Sequence, residues 1–276
     1  VTPDTGFYDP GYVMVAGQKI NCWRHYNPHG HETFKEAVQN SCNVVFVNVA
    51  QRMGKENFYK YINAFGFGQK TGIKLPGEAA GIVNPIEKIG PVELATISFG
   101  QGISVTPIQM ANALCTVANG GKLMQPGIVK AVTDKDGKMV KEYKPTIIRQ
   151  VVSEDTSAKM RDILEGVVAN GTGHSAYIEG YRVAGKTGTS EKYKPGKYVA
   201  SFAAFAPADD PRIAVLAVVD EPTGSSHMGG AVASPIVKSI LTDTLHYLNV
   251  EPKYTESDSE YVAEDVTVPD LVGKNI

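Results

Sequence analysis

Apolar positions recur with a helical period over much of the first 170 residues and with a strand-like period after residue 180. Residues 1–31 are rich in Gly, Pro and His, carry no helical period, and read as extended loop. "HETFKEAVQN" places Glu36 three positions after Thr33, the spacing of a capping box, and predicts a short helix that breaks at Ser41-Cys42-Asn43. "VVFVNVAQRM" predicts a buried helix stopped by Gly54. "KENFYKYINAFGFG" predicts another, with Phe58, Tyr61, Ile62 and Phe65 on one face. Loops follow to residue 90. "PVELATISFGQG" and "TPIQMANALCTVANGG" then read as a turn-capped helical pair, and "SEDTSAKMRDILEGVVANGTG" as a helix opened by Ser153 and closed by glycines.

The pattern then switches. "YRVAGKTGTS", "KYVASFAAFAPADD" and "PRIAVLAVVDEP" are strand-like, with turn signals between them, and "ASPIVKSILTDTLHYL" closes with a long helix. Helices, then an antiparallel group of strands, then a covering helix is the order of an α+β domain. "PKYTESDSEYVAEDV" is polar, acidic and linker-like, and "VTVPDLVGKNI" resumes a short apolar strand pattern. No internal repeat is visible.

The 276 residues suffice for one large domain and a further piece, and 42% hydrophobic residues can fill a core. A net charge of -2 gives no strong pull toward nucleic acid or an anionic membrane. No apolar run reaches the roughly 18 residues of a membrane helix. Three cysteines, an odd number, argue against a full disulfide framework, and Cys115, in an apolar helical stretch, reads as a buried small hydrophobe.

Lys-Thr-Gly occurs twice. Lys186 follows the strand-like Tyr181-Arg182-Val183-Ala184, so backbone and alternate side chains are aimed. Gly185 and Gly188 remove bulk, and Thr187 and Thr189 point the same way along the strand. One ammonium, two hydroxyls and a row of N–H groups suit a carboxylate and a developing oxyanion. Lys70 lies between Gly-rich loops and reads as a surface turn. Ser41-x-Asn43 at a helix break has a plain reading as an N-cap. Its pairing with a distant Lys-Thr-Gly is the arrangement of penicillin-binding proteins and class A β-lactamases.

With these motifs, "FGFGQKTGIKLPGE", "SFGQGISVTPIQMANALCTVANGG", "GTG" at 171–173 and "KTGTSEKY", the chain resembles the transpeptidase domain of class B penicillin-binding proteins of the sporulation type. The resemblance implies the penicillin-binding-protein/β-lactamase-like fold, an antiparallel sheet flanked by helices with a helical subdomain. It implies a transpeptidase domain over 1–249, a linker over 250–265 and the start of a PASTA domain over 266–276. No Ser-x-x-Lys occurs in the chain; "TSAK" and "TGIK" carry threonine first. In that family the nucleophile motif lies upstream of Ser-x-Asn, so the expectation is a fragment that begins after its own nucleophile and is inactive by itself. The full-length parent is then a serine-type D,D-transpeptidase acting on D-alanyl-D-alanine stem peptides. It would be anchored in the bacterial cell membrane on the extracytoplasmic face, would bind β-lactams, and would work alongside cell-division or sporulation membrane proteins.

By the same resemblance, Ser41 relays protons, Asn43 holds the substrate amide, and Lys186 supplies positive potential. Thr187, Gly188 and Thr189 receive the terminal carboxylate, the Thr189 N–H serving the oxyanion. Catalysis itself needs no cofactor. A structural zinc is a separate matter. "NCWRHYNPHGH" packs Cys22, His25, His29 and His31 into ten residues, and Cys42 lies inside Ser-x-Asn. Thiolates and imidazoles are zinc ligands. The resemblance matches His29 and Cys42 to a zinc site, with Cys22 and His25 completing it and His31 as a substitute. The other reading is a polar loop with incidental histidines and a buried Cys42. Two further readings of the whole chain are a non-catalytic peptidoglycan-binding module and a β-lactamase-related hydrolase.

Overall fold

The computed structural model describes residues 1–254. The expected linker over 250–265 lies mostly, and the PASTA start wholly, outside the described residues.

Residues 1–33 are not loop throughout: they hold four short strands. Strands β1 (Gly6–Asp9) and β4 (Gly30–Thr33) pair antiparallel, as do β2 (Tyr12–Val15) and β3 (Gln18–Asn21). Each is only four residues long, too short for the alternation to register against the surrounding Gly and Pro. Helix α1 (Phe34–Gln39) carries the full capping box between Thr33 and Glu36. Helix α2 (Asn43–Met53) ends at Gly54, whose φ of 77° suits glycine alone. Helix α3 (Lys55–Ala64) buries Tyr59 and Ile62, while Tyr61 faces solvent. The predicted face holds at Ile62 and at the half-buried Phe58 and Phe65 but not at Tyr61, whose place Tyr59 takes because the neighbours of this helix settle which flank is covered.

Helices α4 (Pro91–Ser98) and α5 (Pro107–Ala118) form the expected capped pair, each with proline in its first turn. Residues 122–150, to which the pattern assigned no element, form four short strands. These are β5 (Lys122–Gln125), β6 (Ala131–Thr133), β7 (Met139–Glu142) and β8 (Thr146–Gln150), paired β5 with β8 and β6 with β7. Helix α6 (Glu154–Asn170) is capped by the Ser153 hydroxyl.

The main sheet joins β9 (Ala184–Glu191), β10 (Tyr198–Ala206) and β11 (Ile213–Asp220) in the antiparallel order β11-β10-β9. Two further helices close the domain, the short α7 (Gly229–Val232) and α8 (Ser234–Tyr247). Both faces of the sheet are covered. Phe202, Ala204 and Ala206 pack against Val237, Leu241 and Leu245 of α8. Ala203, Phe205 and Ala184 pack against Leu114 of α5 and Ile163, Leu164 and Val167 of α6. Successive strand residues thus serve opposite cores. Helices α3 and α4 with α2 bury a separate cluster, the helical part of the domain. The architecture is the α+β arrangement the pattern predicts, with β9 at the edge of its sheet among the described residues.

Candidate active site and metal centre

The turn between α1 and α2 presents Ser41 in the left-handed backbone region, φ 56°. A non-glycine residue there costs on the order of 1–3 kcal/mol unless its surroundings hold it. The hold is dense. Ser41 N–H donates to Val38 O at 3.2 Å and Cys42 N–H to Ala37 O at 2.9 Å. The Trp23 indole N–H donates to Asn40 O at 3.0 Å, and the Asn40 amide to Glu32 Oε2 at 3.1 Å.

Across from this turn runs β9. Lys186 Nζ donates to Ser41 Oγ at 2.8 Å, joining residues 145 apart in sequence. It also donates to Thr187 O at 3.0 Å and reaches Thr187 Oγ1 at 3.4 Å. Burial lowers the Lys186 ammonium to about 8, since taking a cation out of water favours its neutral form. Ser41 Oγ accepts from the lysine and keeps its own proton to donate. Thr189 Oγ1 likewise accepts the Gly229 N–H at 3.0 Å, leaving its hydroxyl proton for an anion. Asn43 opens α2 and donates from its amide to Asn21 O at 3.4 Å.

The glycines of β9 serve the sheet itself. A Cβ on Gly185 would meet the Phe202 ring at 2.7 Å, and one on Gly188 would meet Ser201 Oγ at 2.5 Å. The second triplet is a surface turn. Lys70 is exposed, and Thr71 donates from both N–H and hydroxyl to the Glu78 carboxylate.

A second group lies directly behind the Ser41 turn. Asp9, Cys22, His29 and Cys42 bring one ligand atom each within 4.8 Å of one another. His29 Nδ1 is 2.8 Å from Asp9 Oδ2 and 3.8 Å from Cys22 Sγ, and Cys42 Sγ is 3.4 Å from Asp9 Oδ2. Asp9 takes the place expected of His25, whose ring lies against the backbone carbonyl of Cys22 at 3.3 Å. The reason is topological: Asp9 ends β1, directly across the pair from Gly30, which delivers its carboxylate beside His29. His31 points elsewhere, its ring against Tyr8. Cys115 is half-buried, not buried as its helix suggested, and burial raises its thiol.

The electrostatics of the group follow from shared protons. The Cys42 thiol donates toward Cys22 and lowers it to about 6, against the opposing effect of burial. Cys42 is raised for the same reason, by that bond and then by burial. Burial would raise the Asp9 carboxyl, but hydrogen bonds led by those from His29 and the Gly11 N–H hold it below its ordinary value. Two thiols, an imidazole and a carboxylate are four donors of the kinds that bind zinc tetrahedrally, where ligand atoms sit about 3–4 Å apart. His29 Nε2 is buried without a hydrogen-bond partner among the described residues. The donor set fits a structural zinc.

Sequence reasoning passed over Asp9, Trp23 and Thr172. Asp9 sits in "YDPG", which reads as a turn acid; Thr172 sits in a noted "GTG" to which no role was attached.

Comparison with known proteins places these features in a family. The model for the penicillin binding protein transpeptidase domain matches residues 1–242. Stage V sporulation protein D of Bacillus subtilis (strain 168) is 49% identical over 279 residues, covering 98% of this chain and 43% of that protein. Penicillin-binding protein PbpB of Mycobacterium tuberculosis is 35% identical over 256 residues, covering 87% of this chain and 37% of that protein. The solved structure of penicillin binding protein 3 from Mycobacterium tuberculosis, complexed with ampicillin, matches with a TM-score of 0.84 at 33% identity, over 92% of this chain and 59% of that one. The chain spans about two fifths of the length of these curated relatives.

Proposed function

The chain belongs to the penicillin-binding-protein transpeptidase family, and from that premise we propose that it forms part of a peptidoglycan D,D-transpeptidase of the cell wall, in the sporulation branch. The observation that carries this reading is the 2.8 Å hydrogen bond from Lys186 to Ser41, which joins Ser-x-Asn and Lys-Thr-Gly into one constellation.

In this reading a serine hydroxyl attacks the carbonyl of the penultimate D-alanine of a stem peptide. An ester forms, the amide C–N bond breaks, and D-alanine leaves with the proton. An amine of a neighbouring stem peptide then attacks the ester and restores the serine. That acyl-accepting serine has no assigned position among these residues. Ser41 passes the proton to the leaving nitrogen, for which the proton it retains is suited. Lys186 supplies positive potential and orients Ser41 Oγ. Asn43 holds the substrate amide, giving up its contact with Asn21. The stem peptide lies as an extended strand along the edge of β9. Its terminal carboxylate meets the Thr187-Gly188-Thr189 stretch, and the Thr189 N–H faces the developing oxyanion. β-Lactams enter the same place. The substrate puts the protein at the outer face of the bacterial membrane, alongside division or sporulation membrane proteins.

Asp9, Cys22, His29 and Cys42 would hold zinc, whose contribution is to fix the N-terminal strands to the start of α2; the acyl transfer runs on side chains alone. His25 is left out of the ligand set.

The test is acylation of the full-length protein by a fluorescent penicillin. Lys186→Ala is expected to cut the acylation rate by on the order of 10²–10³, the usual cost of losing one such charge. Unchanged labelling of that variant would move the chemistry away from β9.

A further inference from the structure

We propose that Thr172 is a positioning residue that closes a hydrogen-bonded ring around the site and so sets the distance between Ser41 and Lys186; this rests on the transpeptidase reading above. Thr172 lies between α6 and β9, in neither catalytic motif. Its N–H donates to Gln39 O at 3.1 Å, and its Oγ1 lies 3.3 Å from the same carbonyl. Gln39 is the last residue of α1, two before Ser41. Thr172 Oγ1 is also 3.0 Å from Thr187 Oγ1, which Lys186 Nζ reaches at 3.4 Å. Lys186 Nζ closes the circuit on Ser41 Oγ at 2.8 Å.

The ends of this circuit dictate its polarity. An ammonium only donates and a carbonyl only accepts. The protons therefore run one way: Lys186 to Thr187, Thr187 to Thr172, Thr172 to Gln39 O. Each hydroxyl donates once and accepts once. Thr187 is thereby committed inside the ring, and the hydroxyl proton free for a substrate carboxylate is that of Thr189.

The turn that carries Thr172 is wedged from three sides. A Cβ on Gly171 would strike the Gln39 carbonyl, one on Gly173 would meet the Phe202 ring at 3.1 Å, and one on Gly230 would strike the Thr172 carbonyl. Thr172 therefore cannot follow if either partner drifts. It acts as a fixed post between the Ser41 turn and β9.

The experiment separates the binding constant of a fluorescent penicillin from its first-order acylation rate in the full-length protein, with melting temperature as a folding control. Thr172→Val keeps the shape and deletes the hydroxyl; Thr172→Ser keeps the hydroxyl. Thr172→Val is expected to lower the acylation rate roughly 10- to 100-fold, the scale of a sub-ångström to ångström misplacement, with binding changed less than about twofold. Thr172→Ser is expected to restore the rate to within about threefold of wild type, since the ring needs the hydroxyl alone. Thr187→Val opens the same ring from its other side, and its rate loss should not add to that of Thr172→Val in the double variant. A wild-type acylation rate in Thr172→Val or Thr187→Val, equal losses in the Val and Ser variants, or additive losses would each overturn the ring. Wild-type protein that the penicillin does not acylate at all would instead remove the transpeptidase reading, and the ring's role with it.

Discussion

At the scale of single residues, the chemistry turns on a half-buried lysine. Burial disfavours the charge of Lys186 and pushes its ammonium down to about 8. Between about 8 and the ordinary lysine value of about 10.4, the unfolded chain holds a proton that the folded chain has lost. Its contribution to stability therefore rises with pH through that window and is flat below it. Acylation runs the other way. The ammonium donates to Ser41, so the rate should fall as pH climbs through about 8, and Lys186→Arg, which keeps its charge, should remove that limb. A wild-type rate that climbs through the same range would assign the neutral amine the role of base. Trp23 offers a second measurement, because it is the single tryptophan of the chain. Its ring lies 6.0 Å from that of His29, and its N–H holds Asn40 O. Zinc added to metal-free protein should shift its emission, and chelation should reverse the shift. Emission that ignores metal while elemental analysis shows uptake would place the ion elsewhere.

At the scale of elements, α1 is held by its end and α8 by its face. Helix α1 has six residues and both halves of a capping box, and its C-terminal end delivers Ser41. Thr33→Ala should cost about 1 kcal/mol, read as a shift in urea midpoint. Helix α8 has no side-chain cap bond and stands on Val237, Leu241 and Leu245, all fully buried. Leu241→Ala should cost about 2–5 kcal/mol by leaving a cavity under β10. A cost no greater than that of Thr33→Ala would mean that the sheet face collapses onto the vacated space.

At the scale of the whole molecule, the four-residue group ties the short N-terminal strands to the start of α2, beside the β1–β4 pairing and a small apolar cluster of Phe7, Val44 and Val45. Asp9 ends β1, Cys22 follows β3, His29 precedes β4 and Cys42 caps α2. None of these strands is long enough to be stable alone. Metal bound only to the folded state adds directly to its stability. A chelator should therefore lower the melting temperature of protein purified without added metal, and should lower it less in Cys42→Ala, which has already lost a ligand. A melting curve indifferent to chelator, with no metal found, would leave the group as a hydrogen-bonded cluster within the core.

The sequence by itself determined the features whose causes are local. The Thr33–Glu36 box, the Gly54 stop and the Ser153 cap are set within one turn of backbone, and the strand before Lys186 distinguishes it from Lys70. The strand-like run of β10 and the covering helix after it were legible too, but that a second layer of helices covers the other face of the sheet was not. Only the tertiary structure decided which distant groups meet. Asp9 displaces His25 because β1 pairs with β4, a pairing that no spacing within "NCWRHYNPHGH" records. Thr172 joins the site because α6 ends against α1, and α3 turns Tyr59 inward because other helices cover that flank. Such contacts depend on the sum of packing over the whole chain. A capping hydroxyl depends on the next three residues.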